Sequence, residues 1–159
     1  MNDEPSPLQR EIRQTRPFRS RGHEAVVGLL RTADVVRRSI GKVVEPFDIT
    51  LQQYNVLRIL RGAGDQGMPT LTIAERMVEE APGITRLMDR LEAKGLVRRQ
   101  RCAQDRRQVL CWLTPEGLAL VNRIDGPMHA ADDDAVAMLS PEDQEKLVRL
   151  LDAVRAGQA

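Results

Sequence analysis

Residues 70–114 read TLTIAERMVEEAPGITRLMDRLEAKGLVRRQRCAQDRRQVLCWLT. Two short helical patterns come first, joined by a connection of a few residues. Leu71, Ile73, Ala74 and Met77 are the apolar positions of a helix running from about Thr70 or Thr72 to Val78. Pro82 suits the first position of the next helix, where Ile84, Leu87, Met88 and Leu91 recur at i, i+3, i+4 and i+7, and Gly95 closes it. Residues 96–102 and 108–113 are β-compatible and flank the polar stretch 103–107, which predicts a two-stranded hairpin with an exposed tip. Helix, turn, helix and basic hairpin make a winged helix-turn-helix arrangement, in which the second helix can enter a major groove while the hairpin flanks the duplex.

Outward from this unit the pattern is helical. Thr50 and Gln53 form a capping box, and Leu51, Tyr54, Leu57 and Leu60 are the stripe of a helix that stops at Gly62 and Gly64. Upstream, Val26, Leu29, Leu30, Ala33, Val36, Ile40, Val43 and Val44 mark a longer helix that Pro46 ends. Residues 1–22, interrupted by Pro5, Pro7 and Pro17, read as a flexible arm with a helical turn around Leu8 and Ile12. Downstream, Thr114 and Pro115 start a helix whose buried face is Leu118, Val121, Ile124 and Met128; the Gly126 and Pro127 pair is expected to kink or break it. Ser140, Pro141 and Glu142 start the last helix, with Leu147, Leu150, Leu151 and Val154 along one side. The expected fold is mainly α with a small β-hairpin. It comprises one domain over residues 23–156, with a winged lobe over 50–114 and dimerisation helices over 23–46 and 115–156.

Composition narrows the function. The chain has 159 residues, 42% hydrophobic, 30% charged and only 3% aromatic, which suits one helical core and argues against an all-β one. A formal net charge of +1 gives no overall field toward nucleic acid, so any basic site must come from local segregation. Such segregation is present. Residues 83–107 hold eight basic and three acidic side chains, a net of +5, whereas residues 128–152 hold two basic and seven acidic, a net of −5. The longest apolar run, residues 25–30, is far too short to span a bilayer, and the arginine-rich start has no apolar segment of a secretory signal, so a cytoplasmic protein is expected. Cys102 and Cys111 make no disulfide framework, and with His23 and His129 they show no metal-ligand spacing. If the hairpin turns near Asp105, facing residues sum to about 210, which places Cys102 opposite Gln108 and Cys111 opposite Arg99, out of register for a bridge. No phosphate-binding glycine loop, zinc-protease motif or nucleophile elbow occurs, so the chain is not read as an enzyme and needs no cofactor.

Because the apolar stripe fixes how the helix after Pro82 faces, Gly83, Thr85, Arg86, Asp89 and Arg90 fall on its open side. Arg86 can contact a guanine edge in bidentate fashion, Thr85 a thymine methyl or a phosphate, and Gly83 permits close backbone approach. The bland alternative, a solvated helix face with weak ion pairs, loses ground to the adjoining basic hairpin. At the hairpin tip Arg106 and Arg107 can reach a phosphate backbone or a narrow minor groove, with Asp105 holding an arginine or capping the turn.

The runs Ile73-Ala-Glu-Arg-Met77, Pro82-Gly-Ile-Thr-Arg-Leu-Met-Asp-Arg-Leu-Glu-Ala-Lys-Gly-Leu-Val-Arg-Arg99, Asp105-Arg-Arg107 and Leu113-Thr-Pro-Glu-Gly117 resemble the MarR family of bacterial transcriptional regulators. The resemblance implies a homodimer with intertwined terminal helices, two winged lobes on a pseudo-palindromic operator, and a repressor released by a small aromatic effector. It implies that Thr85, Arg86 and Arg90 face double-stranded DNA and that Asp105 and Arg107 organise the wing. It also implies an effector cleft between the dimerisation helices and the lobe, near which Leu30, Tyr54 and Leu57 are the candidate ligand contacts. Ala81 departs from the family in standing where a Ser or Thr cap often precedes the reading helix. The alternative function is a winged-helix protein-interaction module, which would lack the steep salt dependence of duplex binding.

Overall fold

The computed structural model describes residues 4–102, 105 and 108–158, and the chain divides into two units, Met1–Ser39 and Ile40–Ala159. In the first unit, α1 (Pro7–Glu11) is the turn expected around Leu8, capped by the Ser6 hydroxyl, which accepts the Gln9 N–H at 3.2 Å. Helix α2 (Arg21–Val44) follows, and Arg31 on it pairs with Glu11 at 2.8 Å. Asp34 joins Arg31 and Arg38 along the same helix. Val26, Leu29 and Leu30, on the apolar stripe read from the sequence, are exposed on α2 in the single chain.

The second unit takes in the end of α2, where Val44 is buried, and a 3-10 turn at Glu45–Phe47 that accommodates Pro46. Helix α3 (Leu51–Ala63) begins with both hydrogen bonds of the Thr50–Gln53 capping box and ends at Gly64, with Gly62 still inside it. Then come β1 (Met68–Pro69), α4 (Thr70–Glu75), α5 (Ile84–Ala93), β2 (Val97–Arg101), β3 (Val109–Leu113), α6 (Pro115–Ala135) and α7 (Pro141–Ala156). The strands form one antiparallel sheet in the order β1-β3-β2. Pairing runs from Val97 opposite Leu113 to Arg101 opposite Val109, and the Cys102 N–H donates to the Gln108 carbonyl at 2.9 Å, the register expected from a turn near Asp105. Strand β1 was not anticipated, because two residues ending in a proline carry no periodicity.

The core gathers Val44, Tyr54, Val56, Leu57, Leu60, Ile73, Met88, Leu91, Val97, Cys111, Val121 and Ile124, drawn from α2 through α6. Two glycines set how α5, β2 and α6 meet. Gly95 has φ +69°, and it donates to the Glu92 carbonyl while Leu96 donates to that of Leu91. That pair of bonds is a Schellman end, which turns the chain from α5 into β2 and buries Leu96 beside Leu91. At Gly117 a Cβ would fall 2.1 Å from the Leu96 carbonyl oxygen, so only glycine lets α6 start this close to the wing.

Four expectations need correction. Helix α4 stops at Glu75, and Leu71 on it is 75% exposed rather than buried, since a six-residue helix covers little more than the Ile73 side. Helix α5 begins at Ile84 with Gly83 as its N-cap, which leaves Pro82 in the turn before it. Leu118 on α6 is exposed, although Val121, Ile124 and Met128 are buried. Helix α6 is not broken at Gly126 and Pro127: it runs unbroken to Ala135, because buried Ile124 and Met128 anchor it on both sides of the one backbone bond that proline deletes.

Candidate nucleic-acid interface

Helix α5 buries Leu87, Met88 and Leu91 and thereby turns Thr85, Arg86, Asp89 and Arg90 outward, all exposed, as the stripe predicts. Gly83 caps the helix without a side-chain bond, and Ala81 contributes only its carbonyl, which accepts the Ile84 N–H at 3.0 Å. The helix start is therefore bare of side-chain oxygen, leaving its first N–H groups to backbone partners or to an outside acceptor. Among the described residues, Arg86 and Arg90 form no ion pair, so both guanidinium groups keep their donors available.

The other basic side chains of the segment do different work. Arg99, half-way along β2, donates to Glu92 from Nε at 2.9 Å and from Nη2 at 2.5 Å, and pairs with Asp89 at 2.7 Å. These bonds, those to Glu92 foremost, hold the Arg99 guanidinium even more firmly protonated than usual. Arg98, on the opposite face of β2, lies over the Trp112 ring at 4.1 Å, while the Trp112 Nε1–H donates to the Asp65 carbonyl at 3.1 Å. Lys94 at the end of α5 bonds both the carboxylate and the carbonyl of Asp48. Reading charge by segment missed all three, because helical and strand faces, rather than the tally, decide which cations stay open. The 210 register does put Arg99 beside the buried Cys111, and that was the available signal.

At the wing, the Asp105 carbonyl accepts the Gln108 N–H at 2.9 Å and its carboxylate accepts from Gln108 Nε2 at 3.2 Å, so Asp105 closes the turn. Arg106 and Arg107 lie outside the described residues. Cys111 is buried against Thr70, whose hydroxyl is 3.4 Å from the sulfur, and burial pushes its thiol pKa up; Cys102 is partly exposed, and both are free.

The three candidate effector contacts are not alike. Tyr54 is 4% exposed and Leu57 fully enclosed, both in the core on α3, whereas Leu30 stands 66% exposed on α2 in the N-terminal unit. The Tyr54 hydroxyl donates to Asp125 on α6 at 3.2 Å, and Arg61 grips the same carboxylate at 2.5 and 3.3 Å while bonding Asn122 at 3.1 Å. Burial, then the bond to Asp125, raises the Tyr54 pKa; the Arg61 bonds hold Asp125 below the usual carboxylate range. Among the described residues, no group of three or more His, Cys, Asp or Glu is gathered for a metal, and no helix is long and apolar enough to cross a membrane.

Residues 49–109, which hold α3 through the start of β3, match the profile of the MarR family. The HTH-type transcriptional regulator PecS of Dickeya dadantii (strain 3937) is 30% identical over 154 residues, covering 95% of this chain and 92% of that one. The chain belongs to the MarR family. Transcriptional regulator HosA of Escherichia coli O157:H7 is 32% identical over 104 residues, 65% of this chain and 76% of that one. Among solved structures, the MarR transcription factor from Planctomyces limnophilus shares 38% identity at a TM-score of 0.67, covering 86% of this chain and 98% of that one. The Staphylococcus aureus MepR–DNA complex shares 27% identity at a TM-score of 0.74, covering 81% and 95%. As a MarR-family winged helix, the chain is a DNA-binding transcriptional regulator.

Proposed function

We propose that this chain is a cytoplasmic repressor that binds a pseudo-palindromic operator as a homodimer, reading bases with α5 and gripping the flanking backbone with its wing. The observation that carries this is the outward face of α5, where Thr85, Arg86 and Arg90 stand exposed over a buried stripe. Gly83 at the helix start lets backbone come close to the duplex. Asp105, Arg106 and Arg107 act at the wing tip. The likeness to MepR, whose structure was solved with DNA, supports the same use of the lobe here.

Dimerisation is supported by apolar side chains left uncovered: Val26, Leu29 and Leu30 on α2, and Leu147, Val148, Leu150 and Val154 on α7. A single chain leaves these stripes in water, and a second copy is the partner that two-fold operator symmetry calls for. Control is by a small aromatic effector that favours a lobe spacing mismatched to the operator. It weakens DNA binding by its coupling free energy, about 1–3 kcal/mol, and DNA weakens effector binding equally. Of Leu30, Tyr54 and Leu57, only Leu30 is exposed in a single chain, and it lies on the stripe that the second copy covers.

Selection of bound duplexes from a random-sequence pool tests the reading. A pseudo-palindrome with half-sites one helical turn apart, about 10 base pairs, is the expected product. Recovery of no enriched sequence would favour the protein-interaction module instead.

A further inference from the structure

The strongest cluster that base reading does not use lies between the reading helix and the wing. Arg99 projects from the middle of β2 toward α5 and spends Nε and Nη2 on Glu92 and Asp89, one helical turn apart. Its side chain is 23% exposed, and Cys111 opposite it is buried, so its strand position is fixed to β3 from below. Lys94 ties the end of the same helix to Asp48. Between these two anchors the chain turns at Gly95, held by backbone bonds and by the Thr114 hydroxyl on the Gly95 carbonyl at 2.7 Å. Beyond that turn the Arg99 fork is a side-chain bridge from the strand back to the exposed face of the helix.

We propose that Arg99 is a positioning residue: its fork onto Asp89 and Glu92 sets the angle between the wing and α5, so operator specificity depends on two carboxylates that lie next to the DNA-facing surface. The proposal rests on α5 being the reading helix. Two physical effects oppose each other at these carboxylates. Negative charge beside a polyanion repels it, so removing Asp89 and Glu92 should, by electrostatics alone, tighten binding to every duplex. The fork predicts the reverse for the operator, because a small change in the angle between strand and helix puts phosphate and base contacts out of joint register. Similarly, an arginine that bound phosphate would lower affinity for all sequences when removed and reduce the salt slope by about one contact.

The experiment compares wild type, Arg99→Met, Arg99→Lys and the pair Asp89→Asn with Glu92→Gln, each on the selected operator and on a random duplex across a salt series, with thermal melts alongside. Arg99→Met and the carboxylate pair are each expected to weaken operator binding about tenfold, with random-duplex binding little changed in Arg99→Met and unchanged or tighter in the carboxylate pair. The operator salt slope of Arg99→Met stays that of wild type, and Arg99→Lys recovers part of the loss. The idea is overturned if the carboxylate pair binds operator as tightly as wild type or more so, or if Arg99→Met weakens both duplexes equally with a shallower slope. Should Arg99→Met fail to fold, the carboxylate pair, which removes no packing atoms, decides alone. Arg86→Ala run in parallel separates the two readings. If it binds operator like wild type, α5 is not the reader; if it weakens while the Arg99 and carboxylate variants do not, only the fork is wrong.

Discussion

Asp125 joins α3 to α6 through two partners on α3, Arg61 and Tyr54, and its lowered pKa turns that contact into a stability term. A carboxyl whose folded-state pKa lies below its unfolded value stabilises the fold above the ordinary carboxylate range, and the contribution is lost as pH falls through the folded value. Asp125→Asn is therefore expected to cost about 1–2 kcal/mol at pH 7. The difference from wild type should shrink as urea unfolding is repeated below about pH 4, where the unfolded carboxyl begins to protonate. An undiminished difference at pH 3 would show that the carboxylate charge is not what binds α3 to α6. For the proposed phosphate contact, Arg107→Ala is expected to weaken operator and random duplexes alike and to reduce the salt slope by about one. A titration in which only operator binding suffers would make Arg107 a base reader. At this scale the sequence disclosed which arginines face outward on α5, because a helical stripe leaves no choice. It did not disclose Arg61, Arg98 or Arg99, whose partners sit on other elements.

The junction of α5, β2 and α6 depends on backbone proximity rather than on side chains. Gly117→Ala places a methyl group against the Leu96 carbonyl, so the start of α6 must withdraw from the wing. A loss of about 1–3 kcal/mol in urea unfolding is expected, the usual cost of inserting a methyl where there is no room. Wild-type stability in that variant would show that α6 moves freely at its first turn. Elements with a long periodic stripe were legible: α3 with its capping box, α5, and the β2–β3 register fixed by the polar tip. Those decided by packing were not. Strand β1 is too short to carry a pattern, and the Gly126 and Pro127 pair reads as a break until buried Ile124 and Met128 are seen on either side of it.

For the molecule as a whole, the apolar stripes on α2 and α7 were legible as stripes, yet Val26, Leu30, Leu150 and Val154 are each at least half exposed in one chain. What covers them cannot be read from helical spacing, since a stripe marks a buried face and not its partner. Light scattering on the eluted protein at micromolar concentration is expected to give twice the 17.9 kDa chain mass. A mass of one chain would contradict the homodimer and, with it, the two-fold operator.

Sequence-specific reading by α5 is tested most directly by the ratio of operator to random-duplex dissociation constants, measured for wild type and Arg86→Ala at the same salt. Wild type should prefer operator by at least about a thousandfold, and Arg86→Ala should lose about 1–3 kcal/mol of that preference with its random-duplex affinity little changed. Equal preference in the two proteins, or none in wild type, would contradict the assignment of α5 as the reading helix.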